Sequence, residues 1–579
     1  MIEVKRRIIP VIPNFPSSIP SILQRIYATR GITSNNQLER GAKHLLSFQS
    51  MHGIEKAVDI LVEAIAKQTR IIVVGDFDVD GATSSALSVM AFRMMGSNNV
   101  DYLVPNRFED GYGLSPDVVD QAKAMGAEII MTVDNGVSSI DGVAAAKAYG
   151  MQVVVTDHHL PGSSLPIADS IVNPNLEECA FPSKSLAGVG VAFYLMLAIR
   201  ARLRENNWFE MQNIPIPNLA DLLDLVALGT VADLVALDEN NRILVHQGIQ
   251  RIRAGKCRPG IQALIEVANK VPSRINASDF GFALGPRINA AGRLDDMSFG
   301  VELLMSNNIH AARRMASELD ALNQTRKEIE QGMKEEAMAI CERLEFGAQS
   351  ELPFGLVLFQ RDWHQGVIGI LASRLKEKYH RPVIAFADGG DGLIKGSCRS
   401  ISGFHMRDAL DLIDTRNPGL ILKFGGHAMA AGLSIKEVDY KRFSQAFDDV
   451  VRESVEEEAL TGVVLSDGEL MPEEFTLGTA EILRAGGPWG QAFPEPIFDG
   501  EFKVLNQRLV GEKHLKLMLE PIHKDFPTNK MIDAIAFNID VRRWPDASVQ
   551  KVKLAYRLDI NEFRGNQTLQ LMVDYIEPI

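Results

Sequence analysis

Cysteine is scarce in this chain. Four occur in 579 residues, Cys179, Cys257, Cys341 and Cys398, far apart and with no CxxC pair. That spacing excludes a zinc ribbon evident from sequence and fits a reducing compartment. No run of about 18 apolar residues is present, so no membrane span is expected. Lys5, Arg6 and Arg7 are followed by Pro10, Pro13 and Pro16, which leave no apolar core for a signal peptide. The expectation is a cytoplasmic protein. A net positive charge is lacking too, and the formal balance of -14 argues at first sight against a polyanionic partner. Between Glu437 and Glu474, however, 12 acidic residues face 3 basic ones, a local balance of -9. This stretch reads as a solvated helix face and linker, and the nearly balanced remainder leaves room for basic grooves.

Apolar residues are not in short supply: 46% of the chain is hydrophobic, and its length implies three or four domains. The most informative stretch is RIIVVGDFDVDG, residues 70 to 81. Ile71 to Val74 make a short buried strand, Gly75 ends it, and Asp76, Asp78 and Asp80 follow at alternate positions before Gly81 closes the segment. Three carboxylates in five residues repel one another, and a bound cation is the simplest remedy. The plain alternative makes Asp76 a turn residue, Asp80 and Gly81 a tight turn and Asp78 a solvated charge. A calcium loop is set aside, because twelve residues counted from Asp76 end at Leu87 rather than at a closing Glu.

Strand and helix patterns alternate from there to about residue 175. Strand 71 to 74, helix 82 to 95, strand 101 to 104, helix 116 to 125, strand 129 to 133, helix 140 to 149 and strand 153 to 156 are expected. Such a run of βαβ units gives a mainly parallel sheet covered on both faces. The three Asp residues follow the first strand, Asp134 follows strand 129 to 133, and Asp157, His158 and His159 follow strand 153 to 156. Ligands of open α/β sheets lie outside the carboxyl ends of the strands, so all three clusters line one edge. Each alone reads as a turn or a capped helix start. Together they favour a metal site, and carboxylates with one imidazole suit Mn²⁺ or Mg²⁺ better than zinc.

DFDVDG (76 to 81), DNG (134 to 136) and DHH (157 to 159) resemble the signature of the DHH phosphoesterase superfamily. GTVAD (229 to 233), GPRINAAGR (285 to 293), GSCRS (396 to 400) and GGHAMAAG (425 to 432) narrow the resemblance to its RecJ single-strand DNA exonucleases. The resemblance spans essentially the whole chain, including VPNRFEDGYGLSP (104 to 116) and LAGVGVAFYL (186 to 195). It implies a two-metal centre in which Asp134 bridges, Asp76 and Asp78 face one ion, and Asp80, His158 and Asp233 face the other. His159 then lies beside the scissile phosphate, and Asp157 orients an imidazole. From sequence alone Asp233, at the end of the apolar helical stretch Leu219 to Asp233, is a helix cap; only the resemblance makes it a ligand.

The remaining expectations follow the chain. Residues 1–50 form a helical lead-in, with helices at 19 to 27 and 36 to 46, and 51–305 the DHH catalytic domain. In GPRINAAGR, Gly285, Gly292 and the alanines allow a close backbone approach, while Arg287 and Arg293 either contact phosphate or brace the fold. Residues 306–350 contain a long amphipathic connecting helix, a strut with no chemistry. Residues 351–461 form a smaller α/β domain, the DHH-associated one, in which Ser397 and Arg399 present a hydroxyl and a guanidinium to one phosphate. Gly425, Gly426 and His427 offer backbone N–H groups to an anion or, from bare sequence, form a tight turn with a core histidine. Residues 462–579 lose helical periodicity and suit an OB-like β-barrel. There Lys513, Lys516, Lys553, Arg557 and Arg564, interleaved with Phe537, Tyr556 and Phe563, resemble a single-strand groove, the alternative being that the rings are core. Tyr112 is expected to stack on a base and Arg107 to steer the backbone.

The expected fold is therefore an α/β multidomain protein. The resemblance implies a metal-dependent 5′-to-3′ exonuclease that degrades single-stranded DNA to 5′-mononucleotides in recombination and repair, with a RecQ-type helicase and single-strand-binding protein as partners. The rivals are a DHH phosphodiesterase acting on short oligonucleotides or small phosphate esters, and a nucleic-acid scaffold with a dead site. The extended terminal barrel argues against the first and the full carboxylate set against the second.

Overall fold

Apolar runs buried on both faces assemble one parallel sheet in the amino-terminal half of the protein. In the computed structural model, which describes residues 2–9, 11–107, 110, 113–345, 352–523, 528–563 and 565–579, its strands stand in the order Val100–Leu103, Ile71–Val74, Ile129–Val133, Gln152–Thr156, Ser170–Val172. All pairings are parallel. Ile71–Val74 has a neighbour on each side and every residue buried, so a side chain that is apolar at each position is what the place requires. Ile72, Val74, Ile130, Val153 and Val155 pack on one face with Val118, Val119, Val143 and Ala146 from the crossover helices Pro116–Ala124 and Ile140–Ala148. Truncating Ile72 to Ala there would cost about 2–5 kcal/mol. The other crossover helix, Val79–Met94, packs against the helices Gly188–Glu205 and Leu223–Ala232.

The chain divides into two compact units. One comprises Arg6–Ala321 with Leu465–Ile579, the other Met1–Lys5 with Leu322–Val464. The helix Ile309–Glu345, 37 residues, begins in the first and ends in the second. No helix among the described residues is long and apolar enough to cross a membrane. The second unit carries a five-stranded sheet in the order Lys423–Gly426, Ala430–Lys436, Leu393–Arg399, Val383–Gly390, Leu356–Phe359. Only the last pair is parallel. Its core gathers Phe386, Phe404, Phe443 and Phe447.

The first unit also holds a closed barrel, with strands in the order Phe498–Val510, His514–Ile522, Ile532–Ala536, Asn566–Pro578, Lys551–Phe563. One pairing, Ile532–Ala536 with Asn566–Pro578, is parallel, and closure leaves no open edge.

Several local expectations are corrected. The stretch 36 to 46 forms two short 3₁₀ turns, Asn35–Leu38 and Ala42–His44, instead of a helix. Its backbone is satisfied from outside: Arg242 Nη2 donates to Gln37 O, Gln247 Nε2 donates to Arg40 O, and Leu46 N donates to Asn240 Oδ1. A helix, Leu477–Gly486, lies beyond residue 462, in the stretch expected to lack helical periodicity. Tyr556 is no groove residue. It is fully buried in the barrel core against Phe475, Phe498 and Phe502.

Candidate metal centre

The turn after Ile71–Val74 is tighter than alternation suggests. Asp78 caps the helix Val79–Met94, its Oδ1 accepting from Gly81 N at 3.0 Å, so Asp80 and Gly81 belong to the first helical turn and not to a loop. A Cβ at Gly81 would lie 2.3 Å from Asp76 O, so no larger residue fits this return. Asp76 Oδ1 accepts from Phe77 N at 2.7 Å. Both oxygens of Asp80 are held by the start of the helix Gly188–Glu205: Gly188 N donates to Oδ2 at 2.6 Å and Val189 N to Oδ1 at 2.9 Å. A Cβ at Gly188 would lie 2.5 Å from Asp134 Cβ, so glycine also makes room for the second carboxylate.

Asp134 takes up a left-handed backbone, φ 61°, just past the strand Ile129–Val133. Asn135 Nδ2 secures this turn by donating to Val74 O at 3.1 Å and Val133 O at 2.9 Å. Asp157 accepts at Oδ1 from His158 N, His159 N and His159 Nδ1, at 2.7, 3.0 and 2.8 Å, and at Oδ2 from Val137 N at 2.9 Å. Its Oδ1 is spent on orienting the two histidines, while Oδ2 is anchored by Val137. Asp233 follows the helix Leu223–Ala232 directly.

These elements converge. Asp76, Asp78 and Asp134 bring ligand atoms within 4.8 Å of one another, as do Asp80, His158 and Asp233, and as do Asp134, His158 and His159. His158 Nε2 lies 3.0 Å from Asp134 Oδ1, 3.5 Å from Asp233 Oδ2 and 3.9 Å from Asp80 Oδ2. Asp134 Oδ1 and Asp233 Oδ2 are buried and accept no hydrogen bond in proper geometry from any described residue. The short approach of His158 to Asp134 is the kind two ligands of one cation make.

The electrostatics agree. Burial, and then the charge of Asp78, push Asp76 up to about 8 and Asp80 up to about 7. Burial followed by the Asp80 charge holds Asp134 and Asp233 well above the usual carboxylate range. Burial would lower His159, but the Asp157 hydrogen bond and charge outweigh it and raise the imidazole to about 9. Hard oxygen donors with imidazole and unsatisfied buried carboxylate oxygens fit Mn²⁺ or Mg²⁺.

The other singled-out residues fall in several places. Arg107 lies with its guanidinium 4.0 Å over the Phe77 ring; burial lowers its pKa against the pull of Asp76 and Asp78. Arg287 is engaged by the fold, with Nε 2.9 Å from Asp320 Oδ1 and Nη1 donating to Ala283 O at 2.6 Å. It lies in the helix Gly285–Leu294, where the close approach expected of Gly292 is present: a Cβ would lie 1.9 Å from Phe77 O. Ser397 and Arg399 are in the other compact unit, on the strand Leu393–Arg399. Arg399 donates from Nη1 to Ser397 Oγ and Cys398 O and from Nε to Ser373 Oγ. Gly425 and Gly426 end the strand Lys423–Gly426, and His427 N donates to Ala430 O across the turn that follows. On the barrel Lys513 is exposed, and Lys516 Nζ lies 3.2 Å from Asp533 Oδ2. Tyr112 and Arg564 lie outside the described residues.

Sequence reasoning gave no role to Asn135, to the N–H groups of Gly188 and Val189, or to Asn289, whose Oδ1 accepts from Val79 N at 3.1 Å. It also passed over Gly369 and Ser373 of the helix Ile368–Tyr379; a Cβ at Gly369 would lie 2.9 Å from both Arg399 Nη2 and Ser397 Oγ. The glycine pair within LAGVGVAFYL was the available signal for Gly188.

A parallel sheet whose carboxyl edge carries Asp, Asp-Asn-Gly and Asp-His-His clusters is a DHH phosphoesterase architecture, and residues 70–230 match the DHH family, N-terminal domain. The DHHA1 domain matches 353–453, and the RecJ OB domain 466–575. The chain is 62% identical over 578 residues to the single-stranded-DNA-specific exonuclease RecJ of Escherichia coli (strain K12), covering 100% of this chain and 99% of that one. It is 58% identical to that of Haemophilus influenzae, again over 100% and 99%. The crystal structure of RecJ in complex with Mn²⁺ from Thermus thermophilus superposes with a TM-score of 0.77 at 26% identity, covering 97% of this chain and 76% of that one. The chain belongs to the RecJ family.

Proposed function

We propose that this chain is a single-stranded-DNA-specific exonuclease that uses two divalent cations, Mn²⁺ or Mg²⁺, and hydrolyses DNA from its 5′ end to 5′-mononucleotides. The observation that carries the reading is the approach of the group Asp76, Asp78 and Asp134 to the group Asp80, His158 and Asp233, with His158 Nε2 3.0 Å from Asp134 Oδ1, in a chain 58 to 62% identical to proteins named for this activity. When bound, two such ions would supply an activated water and charge stabilisation at the attacking and leaving oxygens.

The chain's own residues do the rest. Asp134, grouped with Asp76 and Asp78 and 3.0 Å from His158 Nε2, would serve both ions. Asp157 fixes the His159 ring through Nδ1, so that Nε2 is the ring atom offered to the scissile phosphate. Arg107, stacked on Phe77 beside Asp76, steers the incoming backbone, and Tyr112 stacks on a base. Ser397 and Arg399, with the backbone at Gly425, Gly426 and His427, hold the terminal phosphate. Arg287 adds a phosphate contact by sharing its guanidinium with Asp320. Lys513, Lys516 and Arg564 follow the strand along the barrel, which a phosphodiesterase of short oligonucleotides would not need. The reading puts the chain in the cytoplasm, acting in recombination and repair, with single-strand-binding protein and a RecQ-type helicase as partners. It also treats 51–305, 306–350, 351–461 and 462–579 as catalytic, connecting, substrate-holding and strand-binding segments after the lead-in 1–50.

The test is an end-labelled assay of single- and double-stranded DNA and RNA with Mn²⁺, Mg²⁺ or EDTA. Linear single-stranded DNA should be digested from the 5′ end with either metal and not at all in EDTA. Equal attack on circular single strands would overturn end capture. Arg399→Ala should reduce the advantage of a 5′-phosphate over a 5′-hydroxyl end, and digestion of both at wild-type rates would remove Arg399 from that role.

A further inference from the structure

Asp157 secures the peptide N–H groups of His158 and His159, which leaves open what secures their carbonyls. The answer lies just past the last strand of the sheet, Ser170–Val172, which runs parallel to Gln152–Thr156 with Thr156 opposite Val172. The chain continues there as Asn173-Pro174-Asn175. Asn173 Nδ2 donates to His159 O at 2.8 Å, and Asn175 Nδ2 donates to His158 O at 2.5 Å. Asn173 is fully buried, and its Oδ1 accepts from Asn175 N at 2.8 Å, which fixes the amide's orientation. Flipping it would set a carbonyl oxygen against His159 O and a donor against a donor. Pro174 between them is held in turn by Lys184, whose Nζ donates to Pro174 O at 2.7 Å and to Cys179 O at 2.6 Å.

We propose that Asn173 and Asn175 are positioning residues that act through His159 and His158 respectively, one setting the substrate-facing imidazole and the other the metal-facing one. The inference rests on the roles given to the two histidines above. Each histidine is held at its own N–H by Asp157 and at its own C=O by an asparagine amide, and the peptide between the two carries the Asn175 and Asp157 bonds at once. None of the three peptides that flank the histidines can then rotate without losing a hydrogen bond whose partner is buried or half-buried. Two adjacent histidines need this, because their side chains serve different partners and a small peptide rotation would move both. The crossed pairing, with Asn175 on His158 and Asn173 on His159, makes the two effects separable.

The experiment uses the full chain and three readouts: Mn²⁺ binding by calorimetry without DNA, kcat and KM on a 5′-phosphorylated single strand, and Tm in EDTA. Asp is isosteric with Asn and, once ionised, cannot donate to a carbonyl. Asn175→Asp should weaken Mn²⁺ binding roughly 10- to 100-fold, the usual cost of losing a residue that orients a ligand, and Asn175→Gln, which keeps the donor at a half-buried site, should recover most of it. Asn173→Asp should leave Mn²⁺ affinity within about threefold and lower kcat roughly 10- to 100-fold at unchanged KM. Wild-type Mn²⁺ affinity in Asn175→Asp, or wild-type kcat in Asn173→Asp, would overturn the corresponding assignment. A lower Tm in EDTA with metal affinity and kcat per folded molecule unchanged would make both purely structural and overturn the proposal. Should Asn173→Asp not fold, the Asn175 pair decides. If the wild-type protein cleaves no single strand, the proposed function fails, and the Mn²⁺ titration still judges Asn175 independently.

Discussion

The carboxyl edge of the parallel sheet and the wall of the barrel are both rich in charge, yet they treat it in opposite ways. At the edge, Asp76, Asp80 and Asp134 are buried together, and burial with mutual repulsion raises their pKa values. On the barrel, charges come in pairs near the surface: Arg557 with Asp574 at 2.9 Å and Glu495 at 3.0 Å, Lys516 with Asp533 at 3.2 Å, Lys503 with Glu520 at 3.9 Å. A buried excess of one sign is a cost the fold bears where a ligand brings the missing charge. Exposed pairs each contribute about 0–1 kcal/mol and can exchange partners in salt or on binding. The first arrangement marks a site of chemistry, the second a surface of adjustable affinity.

The largest effect should come from Asp134, the carboxylate proposed to serve both ions. Asp134→Ala is expected to lower kcat by about 10³-fold or more, the several kcal/mol that metal charge supplies to phosphoryl transfer. Binding of a long single strand, followed by fluorescence anisotropy in EDTA, should persist, because the barrel is untouched. Substantial nuclease activity in this variant would move the common ligand elsewhere and erase the distinction between the two regions.

A second effect follows from the raised carboxyls. Asp76 and Asp80 bind protons more tightly folded than unfolded, as does His159. For the two carboxyls the contribution to stability is therefore full below about pH 4 and is lost as pH rises through about 7 to 8; for His159 it is full below about 6.5 and is lost as pH rises through about 9. In EDTA the Tm should fall by several degrees between pH 5.5 and about 8.5. Saturating Mn²⁺ should remove the decline, since a cation favours the charged forms and stabilises by mass action. A Tm in EDTA that rises across this range would mean the edge is compensated within the protein, like the barrel.

How much of this the sequence disclosed depends on whether a residue's partner is near in the chain. Asp76, Asp78 and Asp80 stood out because alternate carboxylates after an apolar strand are conspicuous by themselves. That Asp78 caps the helix and Asp80 already lies within it was not visible, because Asp-Val-Asp-Gly reads equally as a turn. Asp233 sits where a helix cap would, and only the family resemblance marked it. Asn135 and the N–H groups of Gly188 and Val189 reach across the tertiary fold; the glycine pair marks Gly188 as a place of close approach but names no partner, and no local pattern announces the other contacts. The barrel strand Phe498–Val510 has no clear signature in the sequence, since Asp499, Gly500 and Lys503 dilute its apolar alternation and its pairing shifts register between Val504 and Asn506.

The smallest effect is the most discriminating for the barrel. Lys513 lies exposed in the turn before His514–Ile522, and no ion pair to it is found among the described residues; Lys516 is held by Asp533. A lysine that neutralises a phosphate of a single strand releases counterions and adds about 0.7 to the slope of log K against log salt. Lys513→Ala should therefore lower that slope by about 0.7 when binding to a long single strand is titrated from low to moderate salt. Lys516→Ala should lower the slope by less, because its ammonium is shared between the strand and Asp533, while affinity drops slightly as the released carboxylate repels the strand. Asp533→Ala supplies the converse: with its partner gone, Lys516 becomes available, and both affinity and slope should rise. Equal slope losses for Lys513→Ala and Lys516→Ala would mean that the barrel's ion pairs open on binding. The barrel would then be, like the metal edge, a place whose charge is completed only by what it binds.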